Sequence, residues 1–204
     1  MHPKTTNTMT MSFGCTVNKE KNGALLAYIA EKNPGIHLRK LLKMVYLIDE
    51  AFMTKRGFPL TWFSYQAWEK GPVAPEVYAV KSGAFSNYVL CQKNAAGQNI
   101  VTPAFAHDYL IDKQMEAYSL YEKEVIDSVI DSYGGKTADE LSALTHQENA
   151  LWTRIVNEQK VVFVDGKSNV EIPLSRLNEG DEEKMAIYDE AHDYMQFCNA
   201  TTPC

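Results

Sequence analysis

The stretch Ala67-Trp68-Glu69-Lys70-Gly71-Pro72-Val73-Ala74-Pro75-Glu76-Val77-Tyr78 places two prolines and a glycine among large aromatic side chains. A residue that precedes proline is disfavoured in the helical region, so we expect Gly71 and Ala74 to be non-helical. Proline is favoured at the first position of a helix, and Glu76 suits the positive end of the helix dipole. The sequence therefore predicts a rigid corner after which Pro75 begins a short helix that ends at Gly83. Such a corner can also be purely architectural.

Two helices are predicted before this corner. The first begins near Asn22 and is stopped by Asn33-Pro34-Gly35, while the second runs from Leu38 to Gly57. Its apolar residues form one stripe: Leu38, Leu41, Leu42, Val45, Ile48 and Phe52. Its charges oppose the helix dipole, with Arg39, Lys40 and Lys43 early and Asp49 and Glu50 late. These charges indicate either a solvated face or a positive edge for an acidic partner.

Short strands and further helices are predicted around and after the corner. Alternating aromatics favour a strand within 61–68, with a helical turn as the alternative, and residues 88–91 and 99–102 suggest a hairpin. Capping boxes at Ser119/Glu122, Thr137/Glu140 and Thr145/Glu148 predict three successive helices. Asp165-Gly166 predicts a hairpin that includes a strand from Lys160 to Val164, and Asp181-Glu182-Glu183 begins a last helix. We therefore expect a mostly α (α+β) fold, a compact helical domain with one or two small β-hairpins.

Composition limits the functional classes. The 204 residues carry a formal net charge of -6, which argues against broad binding to nucleic-acid phosphates. The four cysteines are scattered, and no stretch resembles a signal peptide or a membrane span, so we expect a reduced, cytoplasmic protein. Residues 1–20 lack periodicity and predict a flexible tail. Residues 21–200 then form a single domain, within which 164–200 is a C-terminal hairpin and helix extension.

Catalytic and metal motifs are weak in this chain. His146 and Glu148 are the pair that most resembles a catalytic acid and base or part of a metal site. A capping role for Thr145 and Glu148 explains this segment equally well. The other histidines lack the spacing of metal ligands, and no nucleophile elbow or phosphate loop occurs. We therefore expect no metal and no cofactor, and no catalytic residue is assigned. An uncharacterised hydrolase that uses His146 and Glu148, with Lys70 in the same cleft, remains an alternative.

Three separated motifs resemble the Panacea domain family, which includes SocA-type antitoxins and phage-associated GepA-like proteins. They are residues 40–49, the corner at 67–78, and Tyr133-Gly134-Gly135 followed by residues 144–148 and Trp152. Together they cover roughly residues 22 to 157. The resemblance implies a helical antitoxin that neutralises a toxin by direct contact, the toxin being encoded by a neighbouring gene. It also implies an alternative in which the protein delivers its toxin to a protease.

The resemblance and the surface chemistry together suggest two sets of site residues. The partner-binding candidates are Arg39, Lys40, Lys43, Trp68, Lys70 and Gln147. The family-motif positions, structural or functional, are Gly71, Pro72, Pro75, Tyr78, Thr145, His146, Glu148 and Trp152. We also expect Trp68 to pack near the helix that carries Trp152.

Overall fold

A computed structural model describes residues 11–12, 15–16, 18–105 and 108–201. The helices are α1 Lys19–Lys32, α2 Leu38–Arg56, α3 Pro75–Tyr78, α4 Asp108–Met115, α5 Leu120–Tyr133, α6 Ala138–Thr145, α7 Leu151–Glu158 and α8 Glu182–Thr201, with 3-10 helices at Ala79–Ser82 and Leu174–Asn178. The strands are β1 Met11–Ser12, β2 Cys15–Thr16, β3 Gln66–Trp68, β4 Gly71–Val73, β5 Val89–Lys93 and β6 Asn99–Pro103. Each strand pairs antiparallel with one neighbour, so the predicted mostly α fold with small hairpins is confirmed.

The predicted tail of residues 1–20 lies mostly outside the described residues. Its described part contains β1 and β2, which pair with each other, and α1 already begins at Lys19. The division into a tail, a domain and an extension therefore stays a prediction. Within the described ranges, no helix combines the length and the apolar character that crossing a membrane requires.

Helix α2 lies at the centre of the molecule. Helices α1, α5 and α6, strand β4 and the 3-10 helix Leu174–Asn178 all pack against it. Every residue from 41 to 49 is buried, including Lys43 at 1% exposure and Asp49 at 0%. The helix ends at Gly57 in the left-handed conformation, as predicted. The expectation that its charges form a solvated face or an exposed edge is wrong for Lys43 and Asp49, because both lie in the stretch of α2 that is buried on every side.

Asp49 fastens the loop after α2 to the core. Its carboxylate accepts hydrogen bonds from the backbone N–H groups of Leu60 and Thr61, each at 2.9 Å. It also accepts the hydroxyl hydrogens of Thr61 and of Tyr65, the latter at 2.7 Å. These donors partly offset the burial of the carboxyl, which still raises the pKa of Asp49 to about 6. The loop is thereby held against α2 just before the corner.

The corner has the predicted architecture. Strands β3 and β4 form a tight hairpin in which Trp68 faces Gly71, and the extended residue Ala74 precedes α3. Pro75 is the first helical residue, and Gly83 ends the following 3-10 helix with φ of 93°. Strands β5 and β6 confirm the predicted second hairpin.

Two predictions for the C-terminal third are wrong. The capping boxes of α5 and α6 are present, but Thr145 lies at the end of α6, and α7 begins after Ala150 without a side-chain cap. Residues 161–163 form no strand, and Val164 makes only a single bridge to Lys167.

The chain after the 165–166 turn pairs with β3 instead of with the 160–164 segment. The N–H of Ala67 donates to the carbonyl of Val170, and the N–H of Ile172 donates to the carbonyl of Tyr65, both at 2.8 Å. The edge of β3 that does not face β4 has free backbone N–H and C=O groups, and residues 170–172 pair with them. A separate hairpin of residues 160–172 would leave those groups of β3 to solvent. Ile172 is fully buried as a result, so this segment closes one side of the corner.

Asp49 generates a testable pH dependence. Because its pKa is higher in the folded protein than in the unfolded chain, its contribution to stability is largest below about pH 4 and is lost as the pH rises through about 6. We expect the stability of the wild type relative to Asp49→Asn to fall by about 2 kcal/mol between about pH 4.5 and pH 7. Urea denaturation at both pH values measures this difference in the free energy of unfolding. Asp189→Asn, which changes an exposed aspartate of α8, is the matched control, and an equal pH dependence in both variants would contradict the assignment.

Candidate functional site

A cleft of about 1120 Å³ opens between the corner, the turn that joins α1 to α2 and the turn that joins α5 to α6. Its apolar lining comes from Ile36, Leu38, Leu42, Val73 and Ile130. Its charged lining consists of Lys32, Arg39, Lys40, Lys43, Lys70, Lys136, Asp131 and Asp139. Six basic residues against two acidic ones make the lining of this cleft predominantly basic, although the whole chain carries a net charge of -6.

Lys43 brings a charge into the protein interior at this cleft. Its ammonium group donates a hydrogen bond to the carbonyl of Pro72 at 3.0 Å, and it forms no ion pair with a carboxylate among the described residues. Burial, together with the nearby charge of Arg39, lowers the pKa of Lys43 to about 7. A charged group that is buried without a counter-charge costs folding free energy. Burial of Lys43 therefore lowers the stability of the fold, which favours a functional role for this residue.

Gly71 makes the approach of Lys43 possible. Its φ of 103° lies in the region that favours glycine. A Cβ atom at this position would lie 2.5 Å from the Nζ of Lys43 and 2.6 Å from the Oγ1 of Thr145, closer than real contacts allow. The Gly-Pro pair thus supplies both the bare backbone that Lys43 and α6 contact and the carbonyl that Lys43 binds.

Lys40 and Arg39 lie nearer to the mouth of the cleft. The ammonium group of Lys40 donates to the carbonyl of Gly134, and partial burial lowers the pKa of Lys40. The guanidinium of Arg39 forms an ion pair with Asp139 at 2.8 Å, and both side chains remain solvent-accessible. Gly134 therefore accepts a hydrogen bond from Lys40, and the Gly134-Gly135 motif joins α5 to α6.

Two further lysines lie over the aromatic residues of the cleft. Trp68 and Tyr78 pack edge to face with ring centroids 4.7 Å apart. The Nζ of Lys167 lies 4.9 Å from the Trp68 ring and 5.3 Å from the Tyr78 ring, and Lys81 lies 3.9 Å from Tyr78. A hydrogen bond with Lys81, reinforced by both lysine charges, lowers the pKa of Tyr78.

Helices α6 and α7 brace the back of the corner. The indole N–H of Trp152 donates to the carbonyl of Trp68 at 3.0 Å, so the predicted packing of Trp68 near the helix of Trp152 is confirmed. The imidazole of His146 contacts the carbonyls of Ser142 and Glu69 through its two ring nitrogens, the latter at 3.1 Å. The hydroxyl of Thr145 donates to the carbonyl of Ser142 at 2.9 Å. Trp152 and His146 therefore hold the corner in place, whereas the Thr145 bond lies within α6.

The structure does not bring His146 and Glu148 together as an acid and base pair. Glu148 is exposed in the turn after α6, and no hydrogen bond joins it to His146 in the described part of the chain. Gln147 is also exposed there and does not line the cleft. The same ranges contain no group of three or more His, Cys, Asp and Glu side chains that is suited to a metal ion.

Most of the predicted partner-binding residues do meet at one place. Arg39, Lys40, Lys43, Trp68 and Lys70 line the cleft, as does Tyr78, whereas Pro75 and Pro72 shape the corner beside it. Sequence reasoning missed Asp131 at the end of α5, Lys136 in the α5–α6 turn and Asp139 at the start of α6. The capping box at Thr137 was the available signal, because it fixes where α6 begins and thus where Asp139 lies.

The comparisons with known proteins match a segment that includes the corner and the α5–α6 turn. The family model described as antitoxin SocA-like, Panacea domain, matches residues 41–153. Antitoxin SocA from Caulobacter vibrioides (strain NA1000 / CB15N) is 26% identical over 117 residues, which are 57% of this chain and 58% of that protein. The match thus spans less than two thirds of that relative. No solved structure gives a significant match.

Gly71 can be tested by substitution with alanine. Gly71→Ala adds both backbone strain and a clash with Lys43 and Thr145, so we expect a loss of at least about 3 kcal/mol in the free energy of unfolding. The matched control is Gly83→Ala, which has a similar φ of 93° but nothing within 4 Å of the new Cβ. It is expected to lose only about 1 kcal/mol. Equal losses in the two variants, measured by urea denaturation, would show that the close approach is absent.

Lys43 can be tested through its effect on stability at alkaline pH. Because its pKa is lower in the folded protein than in the unfolded chain, stability rises as the pH increases from about 7 toward 10.5. We expect the wild type to gain about 2 kcal/mol relative to Lys43→Met between about pH 7 and pH 9. Lys93→Met, at an exposed position of β5, controls for the loss of a lysine. A constant difference between the wild type and Lys43→Met across this range would contradict the buried charge.

Proposed function

The chain belongs to the SocA-like Panacea domain family, and on that premise we propose that it neutralises a protein toxin by direct contact at the cleft beside the corner. The toxin is proposed to be the product of a neighbouring gene. The antitoxin role is inferred from the family, whereas the contact surface is inferred from the geometry of this chain. Both parts are testable separately.

The buried ammonium group of Lys43 is the main observation that supports this choice of contact surface. It lies within the segment that matches the family and lines the basic cleft described above. Replacing a buried charge with an apolar side chain of similar volume often leaves a fold equally or more stable. A residue that lowers stability in this way is typical of binding and catalytic sites.

Binding is favoured over catalysis at this site. The cleft brings together lysines, an arginine and apolar side chains, but the candidate acid and base residues lie elsewhere. Both ring nitrogens of His146 lie against backbone carbonyls and face away from the cleft lining, and Glu148 is exposed in the next turn. Occlusion of a toxin needs complementary contacts and no reacting group.

Co-expression with the neighbouring gene tests the proposed function. We expect the wild-type protein to restore growth and Arg39→Glu to lose at least about ten-fold in potency, since reversing a charge that faces the partner slows association and weakens binding. Lys55→Glu is the control, because it makes the same kind of change on an exposed residue about 22 Å along α2 from Lys40. Thermal melting checks that each variant is folded.

Three outcomes of this experiment separate the mechanisms. Rescue by amounts of protein far below those of the toxin, abolished in a folded His146→Ala variant, would contradict binding and support an enzyme. A shortened half-life of the toxin would indicate delivery to a protease instead of occlusion. Equal losses in Arg39→Glu and Lys55→Glu would place the contact surface outside the cleft.

A further inference from the structure

The cleft holds positive charges that its own residues do not neutralise. The ammonium groups of Lys40 and Lys43 both bind backbone carbonyls, those of Gly134 and Pro72, which carry no net charge. Neither lysine forms an ion pair with a carboxylate among the described residues. Desolvation strengthens the attraction of such groups for an incoming anion, because fewer water molecules compete with it.

The N-terminal end of α2 adds to this positive field. Its first turn contains no acidic residue, and the preceding residue His37 makes no capping hydrogen bond through its side chain. The first N–H groups of a helix have no partner within the helix and favour negative charge. His37, Leu38 and Arg39 from this end all line the cleft.

Arg39 is already bound to a carboxylate of the protein itself. Its ion pair with Asp139 lies at the mouth of the cleft, with side-chain exposures of 41% and 80%. An exposed ion pair of this kind contributes little to stability. A second carboxylate, brought in by a partner that also satisfies the lysines, can therefore replace Asp139 at little cost.

We propose that the cleft binds an acidic, extended segment of the toxin, and that one carboxylate of this segment replaces Asp139 on Arg39. The proposal rests on the proposed function only for the identity of the partner as a toxin. Further acidic residues of the segment lie near Lys40 and Lys43. Apolar side chains between them contact the apolar lining that Ile36, Leu42 and Val73 provide.

A peptide fits this cleft better than a nucleic acid does. Single-stranded nucleic acids are bound through aromatic side chains on which bases stack. Here Trp68 packs against the Tyr78 ring, and Lys167 and Lys81 lie over the two rings. The net charge of -6 also repels a long polyanion outside the cleft.

Selection from a random peptide library tests the chemistry of the partner without the toxin. Peptides that bind the wild-type protein are compared with those that bind a variant carrying Arg39→Gln and Lys40→Gln. We expect an excess of Asp and Glu among the wild-type binders, and we expect the variant to lose that excess. Selection of peptides without an acidic excess, or of no peptide, would overturn the proposal.

Asp139→Asn supplies the sharper test, because it should improve binding. Fluorescence anisotropy with a labelled, selected acidic peptide is expected to show about 3-fold tighter binding by Asp139→Asn, since a competing carboxylate is removed. Arg39→Gln should bind about 10-fold more weakly. Asp189→Asn, an exposed aspartate of α8, should bind like the wild type. Weaker or unchanged binding by Asp139→Asn would contradict the replacement of Asp139.

Other outcomes separate this proposal from the proposed function. Binding of a labelled single-stranded DNA oligonucleotide that is lost in Arg39→Gln would overturn the peptide in favour of a nucleic acid. Growth rescue through the cleft without selection of acidic peptides would refute the acidic segment and leave the antitoxin role intact. Selection of acidic peptides without rescue would refute the antitoxin role and leave the chemistry of the cleft.

Discussion

The enclosure of α2 is the constraint on which the rest of the structure depends. Since residues 41–49 are all buried, the chain that follows α2 must satisfy the two charged side chains among them. The loop at 60–65 donates four hydrogen bonds to Asp49, and the corner presents the carbonyl of Pro72 to Lys43. Two points on one helix thereby fix the course of residues 60–72 and hold the corner where it forms one wall of the cleft.

The family motifs act mainly as the support of this cleft. Gly71 leaves room for Lys43, and Trp152 and His146 bind the backbone carbonyls of the β3–β4 turn from behind. A rigid wall keeps binding groups in place, which lowers the entropic cost of association. The charges that a partner would meet come partly from the same motifs, through Lys40, Lys43 and Lys70, and partly from residues outside them, through Lys32, Arg39 and Lys136.

Local signals in the sequence predicted the elements but not the surroundings of α2. The corner, the end of α2 at Gly57 and two capping boxes depend on neighbouring residues only, so they could be predicted. The stripe through Leu38 to Phe52 predicted one buried face, although Met44, Tyr46 and Leu47 already made the opposite face apolar as well. Burial of Lys43 follows from that second face, whereas Asp49 lies four residues after Val45 and therefore on the predicted stripe itself. The failed strand at 160–164 and the third capping box depend on tertiary partners, which no local pattern contains.

The most direct test of this account is the ionisation of Lys43 in the folded protein. Nuclear magnetic resonance of protein labelled with ¹³C at the lysine Cε follows each ammonium group separately as the pH is raised. The account predicts that one lysine titrates near a pKa of about 7 and that this signal disappears in Lys43→Met. A titration of every lysine near 10.5 would contradict it, since Lys43 would then lie in water and neither the corner nor the cleft would be organised around a buried charge.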